Sequence, residues 1–354
     1  METQQGSSNE PKQKHGKMKV LLVSLCCMLM AVGQIAGPLL CRMYFLHGGK
    51  RKWLTSWLLT AGFPVMILPI SLSYMSSRAK TDQSFITRWL FWACAILGFL
   101  LGFNSYLYSF GISYLPLSVY SLLSSTQLAF TAVFAFVVVK HKFTHFSINA
   151  VILMTFGSIL LGFHMNGDRP KGESSGEYIL GFFMVIGAAA LHGFLLTAME
   201  YTQKKAAISF TFDIFLQFQL LLSIFATLFC SVAMIINKDF QAIPKEAREF
   251  GLGETKYYAI LVLAAIANQF SIIGSVGMIF CCSSLLAGLV TCLLVPVLQV
   301  FCVIFLREGF SGEKGMALAM CLWGFASYLY GEHQANNNKK PAAFNEEEIN
   351  DDSV

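Results

Sequence analysis

Nine uncharged polar side chains lie inside stretches that are otherwise apolar: Gln34, Asn104, Gln127, His192, Gln217, Gln219, Asn268, Gln269 and Gln299. An amide surrounded by hydrocarbon must find a partner, and each Asn or Gln brings two donors and an acceptor. Taken singly, such a residue reads first as an interhelical hydrogen bond, a contact averaging about 0.6 kcal/mol in membrane bundles. Taken together, the amides recur in both halves of the chain, as they would if they furnished one shared cavity. Asn104 and Tyr108, four apart in "GFNSYLYSFG" (102–111), share a helix face, so an amide and an aromatic ring can point the same way. An amide pairs bidentately with an adenine-like edge while a ring stacks on its plane, which suits a neutral, planar, nitrogen-rich heterocycle. Sugars and neutral amines would fit such a site as well.

Charged candidates are fewer. Glu200 follows His192 by eight residues at the end of its span, and Asp213 opens the next. A carboxylate inside a membrane is by default a proton-relay hypothesis, whereas one at a span end reads as interfacial; for Glu200 both readings stand, and Asp213 reads as a cap. His192 reads as a packing histidine whose titration range alone draws notice. No Walker loop, HExxH, histidine box or nucleophile elbow occurs, so the common enzyme machineries and an ATP-driven motor have no visible seat. The ten cysteines lie in or beside the apolar stretches without metal-ligand spacing and read as packing residues. No metal, cofactor or nucleic-acid partner is expected.

The elements that must hold these residues follow from hydropathy. The chain has 354 residues, 55% hydrophobic and 13% charged, about half the charge of soluble domains. Measured against the roughly 20 apolar residues that cross a bilayer, single spans fall at about 20–41, 53–77, 146–164, 178–200, 213–237 and 315–331. Two longer charge-free windows, 89–139 and 257–306, hold two spans each, bending at "SYLP" (113–116) and "CCSS" (281–284). The fold is therefore expected to be all-α, a polytopic membrane protein of ten transmembrane helices. Period-two alternation, the mark of a membrane barrel, is missing from these windows.

The order of single and double windows repeats, first in 18–165 and again in 178–332, and five spans per half give the halves opposite topology. Two inverted five-helix repeats with a site between them are a recurrent transporter architecture. "KHKFT" (140–144) and "REGFS" (307–311) echo each other at the exits of the fourth and ninth spans. Residues 166–177 read as a linker, 1–17 and 333–354 as disordered tails, the latter acidic, and "PKEAREF" (244–250) as a short amphipathic helix. Lys and Arg divide almost evenly between the two sides, so the charge rule hardly orients the chain.

Four blocks, 37–69, 102–130, 237–260 and 312–332, closely resemble the plant purine permeases of the drug/metabolite transporter superfamily. Among them are "GFNSYLYSFGISYLPLSVYSLLSSTQLAF" and "GEKGMALAMCLWGFASYLYGE". The resemblance implies ten helices in inverted repeats, cytosolic termini and proton-coupled uptake of purine bases and cytokinins, with some members carrying other small aromatic heterocycles. The pattern departs in three places. Asn104-Ser105 stands where many members read Asp-Asn, Gln217 where they carry a glutamate, and Gln299 at the acid of "PVTEV"; Glu200 keeps the family's glutamate. An amide preserves much of the hydrogen bonding of an acid but takes up no proton near neutral pH, so coupling is expected to differ.

The sequence thus reads as a secondary transporter of purine-like heterocycles by alternating access, with protons as coupling ion and a lipid bilayer as its surroundings. Asn104, Tyr108, Gln127, Gln217, Gln269 and Gln299 are the expected substrate-binding residues and Glu200 the expected proton carrier. The plasma membrane is the family's default residence, with endomembrane or vacuole as alternatives, and nothing assigns an oligomeric state. Rival readings are a transporter of alkaloid- or vitamin-like solutes, facilitative because three acids are missing, and a non-transporting membrane receptor.

Overall fold

The computed structural model describes residues 9–67, 87–140, 145–163, 175–206 and 212–351, and the regular elements among them are all helical. In chain order they are α1 (Asn9–Leu46), α2 (Lys52–Thr60) with a 3-10 turn at Phe63–Met66, α3 (Arg88–Tyr114), α4 (Leu117–Ser124), α5 (Gln127–Val139) and α6 (His145–Phe163). There follow α7 (Ser175–Ala206), α8 (Phe212–Ile236), α9 (Asp239–Glu249), α10 (Glu254–Cys281), α11 (Ser284–Leu306) and α12 (Gly312–Asp351). Seven stretches of 20 to 31 residues among the described ones are long and apolar enough to cross a membrane, with α4 and α5 together making one. The rest of the expected window 53–77 and most of the linker 166–177 lie outside the described residues.

Both expected bends occur. Pro116 has no amide hydrogen to continue α3 and adopts an extended φ/ψ of −53°/142°, so α4 starts afresh at Leu117. Ser283 supplies a hydroxyl that accepts from the amide of Leu286 and starts α11. The amphipathic segment is α9, which begins somewhat earlier than "PKEAREF" and tolerates Pro244 inside it. It is pinned by Arg51, which bridges Asp239 at 3.0 Å and Glu246 at 3.6 Å, while the hydroxyls of Tyr44 and Tyr257 donate to Glu246. α1 already runs from Asn9 and α12 continues to Asp351, because a helix that has been nucleated in a span extends at one hydrogen bond per residue without a new nucleus.

Helix faces sort by polarity. On α3, Trp92, Ile96, Phe99 and Phe103 point outward, while Asn104, Ser105 and Ser109 are buried within the bundle. Along the chain the buried apolar residues form two large clusters. One holds Tyr44, Ile112, Leu115, Leu117, Tyr257 and Cys302; the other holds Met30, Leu97, Leu101, Met199, Leu222 and Ile279. Each of α1, α3, α7, α10 and α11 contributes to both, so these helices are apolar at two levels and leave a different level between them.

α1 and α10 meet at glycines. A Cβ on Gly33 would collide with the backbone of Ser271 and Ala267, and one on Gly274 would lie 2.7 Å from the carbonyl of Cys26. Backbone on both sides cannot swing away as a side chain can, so Gly33→Ala is expected to force the helices apart at a cost of about 1–3 kcal/mol. Gly187→Ala, on α7 with open space around it, should instead be neutral or stabilising by up to about 1 kcal/mol. Thermal unfolding of the two variants in detergent checks this; equal melting temperatures would remove the close-packing argument.

Candidate functional site

Between the two apolar levels lies a cavity of about 130 Å³, walled by residues of α1, α2, α3, α4, α5, α7, α10 and α11 and by Ser125 in the break between α4 and α5. One buried water needs at least about 10–15 Å³, so the space is large enough for several. Its polar wall consists of Gln34, Asn104, Tyr108, Gln127, His192 and Asn268, with serine and threonine hydroxyls between them. No Asp, Glu, Lys or Arg among the described residues lines it.

Local sequence explains how the wall is presented. In "YSLLSSTQ" (120–127), the Ser124 hydroxyl donates to Tyr120 O at 2.9 Å, Ser125 to Leu122 O at 2.6 Å and Thr126 to Leu123 O at 2.7 Å. Three hydroxyls competing for backbone carbonyls loosen the helix: the Ser125 amide is shared between Ser121 O and Leu122 O, and the Thr126 amide shifts to a three-residue bond with Leu123 O. The span therefore breaks between α4 and α5, and Ser121, Ser124, Ser125 and Gln127 face the cavity at that break. Irregular backbone at membrane depth is tolerated where protein buries it or a cavity borders it.

Asn104 is 2% exposed; its Nδ2 donates to Nδ1 of His192 at 3.1 Å, and its Oδ1 has no protein partner. The Tyr108 ring stands edge-on to His192 at 5.9 Å and to Tyr120 at 5.8 Å, and its hydroxyl reaches Gln127 Oε1 at 3.5 Å. Asn268 donates to Ala264 O at 2.8 Å, and its amide occupies the space left by the missing side chain of Gly37. Amides, hydroxyls and aromatic rings in a neutral cavity can orient a flat polar molecule by hydrogen bonds and ring contacts.

Three of the six expected substrate-binding residues, Asn104, Tyr108 and Gln127, thus meet in the cavity, and three do not. Gln299 is buried behind the wall next to Leu298, donating to Ser118 O at 2.8 Å and Ser121 Oγ at 3.0 Å, where it ties α11 to α4. Gln269 is fully buried beside Gly62 with neither amide atom partnered, about 100° around α10 from Asn268. Gln217 is half-buried on α8, a helix of which no described residue lines the wall. Gln34, His192 and Asn268 take their places, together with Tyr120 and the hydroxyls. The one sequence signal for the hydroxyls was the Ser-Ser-Thr run inside a span.

Glu200 also lies away from the cavity. It is 4% exposed, and its Oε2 accepts from the amide of Ser284 at 2.9 Å and from the Ser284 hydroxyl, at the start of α11. Lys204 pairs with its other oxygen at 2.6 Å. The α3/α4 bend is held the same way: Glu308 accepts from the amides of Leu117 at 2.8 Å and Ser118 at 2.9 Å, while Arg42 donates to Ile112 O and Ser113 O. Anion on amide end and cation on carbonyl end match the helix dipoles.

Apolar helices enclosing a neutral polar cavity define a multi-pass integral membrane protein. The chain belongs to the purine permease family: a family model described as purine nucleobase transmembrane transport matches residues 21–338. It is 43% identical to purine permease 3 of Arabidopsis thaliana over 325 residues, covering 90% of this chain and 93% of the relative. Purine permease 2 of the same plant is 41% identical over 341 residues, covering 92% and 95%. A solved crystal structure with 16% identity superposes with a TM-score of 0.54 over 88% of this chain and 97% of its own, a likeness of fold. The family is one of transporters, not of enzymes.

Truncating Glu308 to alanine should leave the buried first amides of α4 unpaired and lower stability by about 1–2 kcal/mol. Glu308→Gln, which keeps an acceptor, should lose less. Melting of both in detergent measures the order, and a Gln variant as weak as the Ala variant would count against the capping role.

Proposed function

We propose that the cavity is the substrate site of a purine nucleobase transporter, and that the protein works as a secondary transporter by alternating access. The observation that carries this reading is a wall of amides and aromatic rings without any ionic group, at a level midway between two apolar plugs. A purine base is neutral, flat and bordered by both donors and acceptors, the groups that such a wall can address. Saturable uptake of radiolabelled adenine by transporter-deficient cells expressing the chain is the expected result; no saturable uptake of any purine would sink the proposal.

Ten spans in two inverted five-helix repeats are part of the same reading. Three features support it. α1 packs on α10 as α7 packs on α3, α5 on α7 as α11 on α1, and α6 with α12, the exchange expected of halves related by a twofold axis. α5 and α11 each end in a basic residue with left-handed backbone, Lys140 at φ 56° and Arg307 at φ 53°. Each fused helix pair has a glutamate on the amide end of its second helix, Glu308 on α4 and Glu200 on α11. An even number of spans puts both termini on one side of the membrane, and the family default makes that side the cytosol and the plasma membrane the residence.

Proton coupling through Glu200 is proposed at a helix junction rather than at the substrate. Protonating the carboxylate would remove the charge that holds Lys204 and α11, and so couple a proton to movement of the second half. Uptake by the wild type is expected to rise as external pH falls, and Glu200→Gln should transport with little pH dependence. A Gln variant that keeps the wild-type pH profile would remove Glu200 from the coupling step. Cytokinins, as adenine derivatives, are included in the proposed substrate range.

Tyr108 supplies ring surface more than its hydroxyl, whose reach to Gln127 is long at 3.5 Å. Tyr108→Ala is expected to raise the KM for adenine about tenfold or more, since stacking on a base contributes roughly 1–3 kcal/mol. Tyr108→Phe should stay within about threefold. Kinetics normalised to surface protein check both.

A further inference from the structure

Resting on the cavity being the substrate site, we infer that His192 is a specificity-determining contact that donates from Nε2 to an acceptor nitrogen of the substrate ring, with Asn104 behind it setting that tautomer. The amide group of Asn104 facing the imidazole is its NH2, which can only donate, so Nδ1 of His192 carries the lone pair. A neutral imidazole then holds its proton on Nε2. Asn104 is 2% exposed, whereas His192 is only partly covered although it lies mid-helix in the bundle, because it borders the cavity. His192 has no described hydrogen bond besides the one to Asn104, and Nε2 is not among its buried unpaired atoms.

The ring is also held against rotation. Tyr108 packs edge-on against it at 5.9 Å, and Gly193, the next residue, presses α7 onto the backbone of Phe130 and Thr131 so closely that a Cβ there would lie 2.7 Å from the Thr131 amide. A donor fixed in direction in a cavity without ionic groups discriminates by what faces it. A ring nitrogen with a lone pair satisfies Nε2–H, and a C–H at the same place leaves it unpaired. Asn104 is therefore a positioning residue in this arrangement, and His192 is the group that touches substrate.

Competition of adenine uptake by 1-deaza-, 3-deaza- and 7-deazaadenine, each with one ring nitrogen replaced by C–H, tests the assignment. One analogue is expected to compete about tenfold or more weakly than adenine itself against the wild type. That penalty should vanish in His192→Ala and in His192→Asn, whose amide overlays Nδ1. It should persist in His192→Gln, whose amide overlays Nε2. Equal behaviour of the Gln and Asn variants at matched surface levels would overturn the inference. So would a wild type that treats all three analogues like adenine, a result that needs no variant to fold. A chain with no saturable adenine uptake would instead strike at the substrate-site reading itself. Independently, nitrogen-15 spectra of labelled histidine should show the His192 signal, identified by its loss in His192→Gln, with Nδ1 unprotonated in the wild type. In Asn104→Asp, whose carboxylate only accepts, Nδ1 should carry the proton; a protonated Nδ1 in the wild type would overturn the role given to Asn104.

Discussion

Hydrocarbon offers a polar group no partner, so most of the amides, hydroxyls and charges inside this bundle are tied to another part of the chain, with the amide of Gln269 and Oδ1 of Asn104 among the exceptions. The demand is sharpest at the two tight re-entries, where four helix ends come together within the protein. At the first, Arg42 takes carbonyls at the end of α3 and Glu308 takes amides at the start of α4; at the second, Glu200 takes the amide and hydroxyl that open α11. Ionic groups are thus placed at helix ends, where dipoles favour them, and the middle of the bundle is left to neutral side chains. A cavity furnished with amides, rings and hydroxyls is the consequence.

Two apolar levels with a polar one between them also suit movement. Each long helix at the site passes through both levels, so separating one packed level while keeping the other would open the cavity to one side. The break between α4 and α5 sits where such a change would be felt, because its carbonyls are already shared with the hydroxyls of Ser124, Ser125 and Thr126. Gln299, bound to Ser118 and Ser121, connects α4, just before this break, to α11.

Much of the architecture was legible in the chain. Charge-free windows located the apolar helices, Pro116 and the Cys-Cys-Ser-Ser run located both bends, and the Pro-Lys-Glu-Ala-Arg segment located α9, because each rests on local chemistry. The site was half legible. Helical spacing placed Asn104 and Tyr108 on one face, and both reach the cavity with Gln127. Gln217, Gln269 and Gln299 have the same kind of side chain in the same kind of window and go elsewhere, and the carboxylate of Glu200 goes to a helix end. Composition says that an amide needs a partner; it does not say whether that partner is a ligand, a serine across the bundle or a helix end.

Asn268 and Gln269 show where the boundary falls. They are neighbours with equivalent chemistry, yet the rotation of α10 against α1, set by glycines 33, 37 and 274, turns the first into the cavity and the second away from it. Likewise no sequence pattern brings Asn104 to His192, which are 88 residues apart. The sequence by itself determined that the chain lives in a membrane as helices, where those helices bend, and which polar groups they carry, since hydropathy and turn chemistry act over a few residues. The tertiary structure alone decided which of those groups share a cavity and which tie helices together, since that depends on the depth and rotation at which separate helices meet.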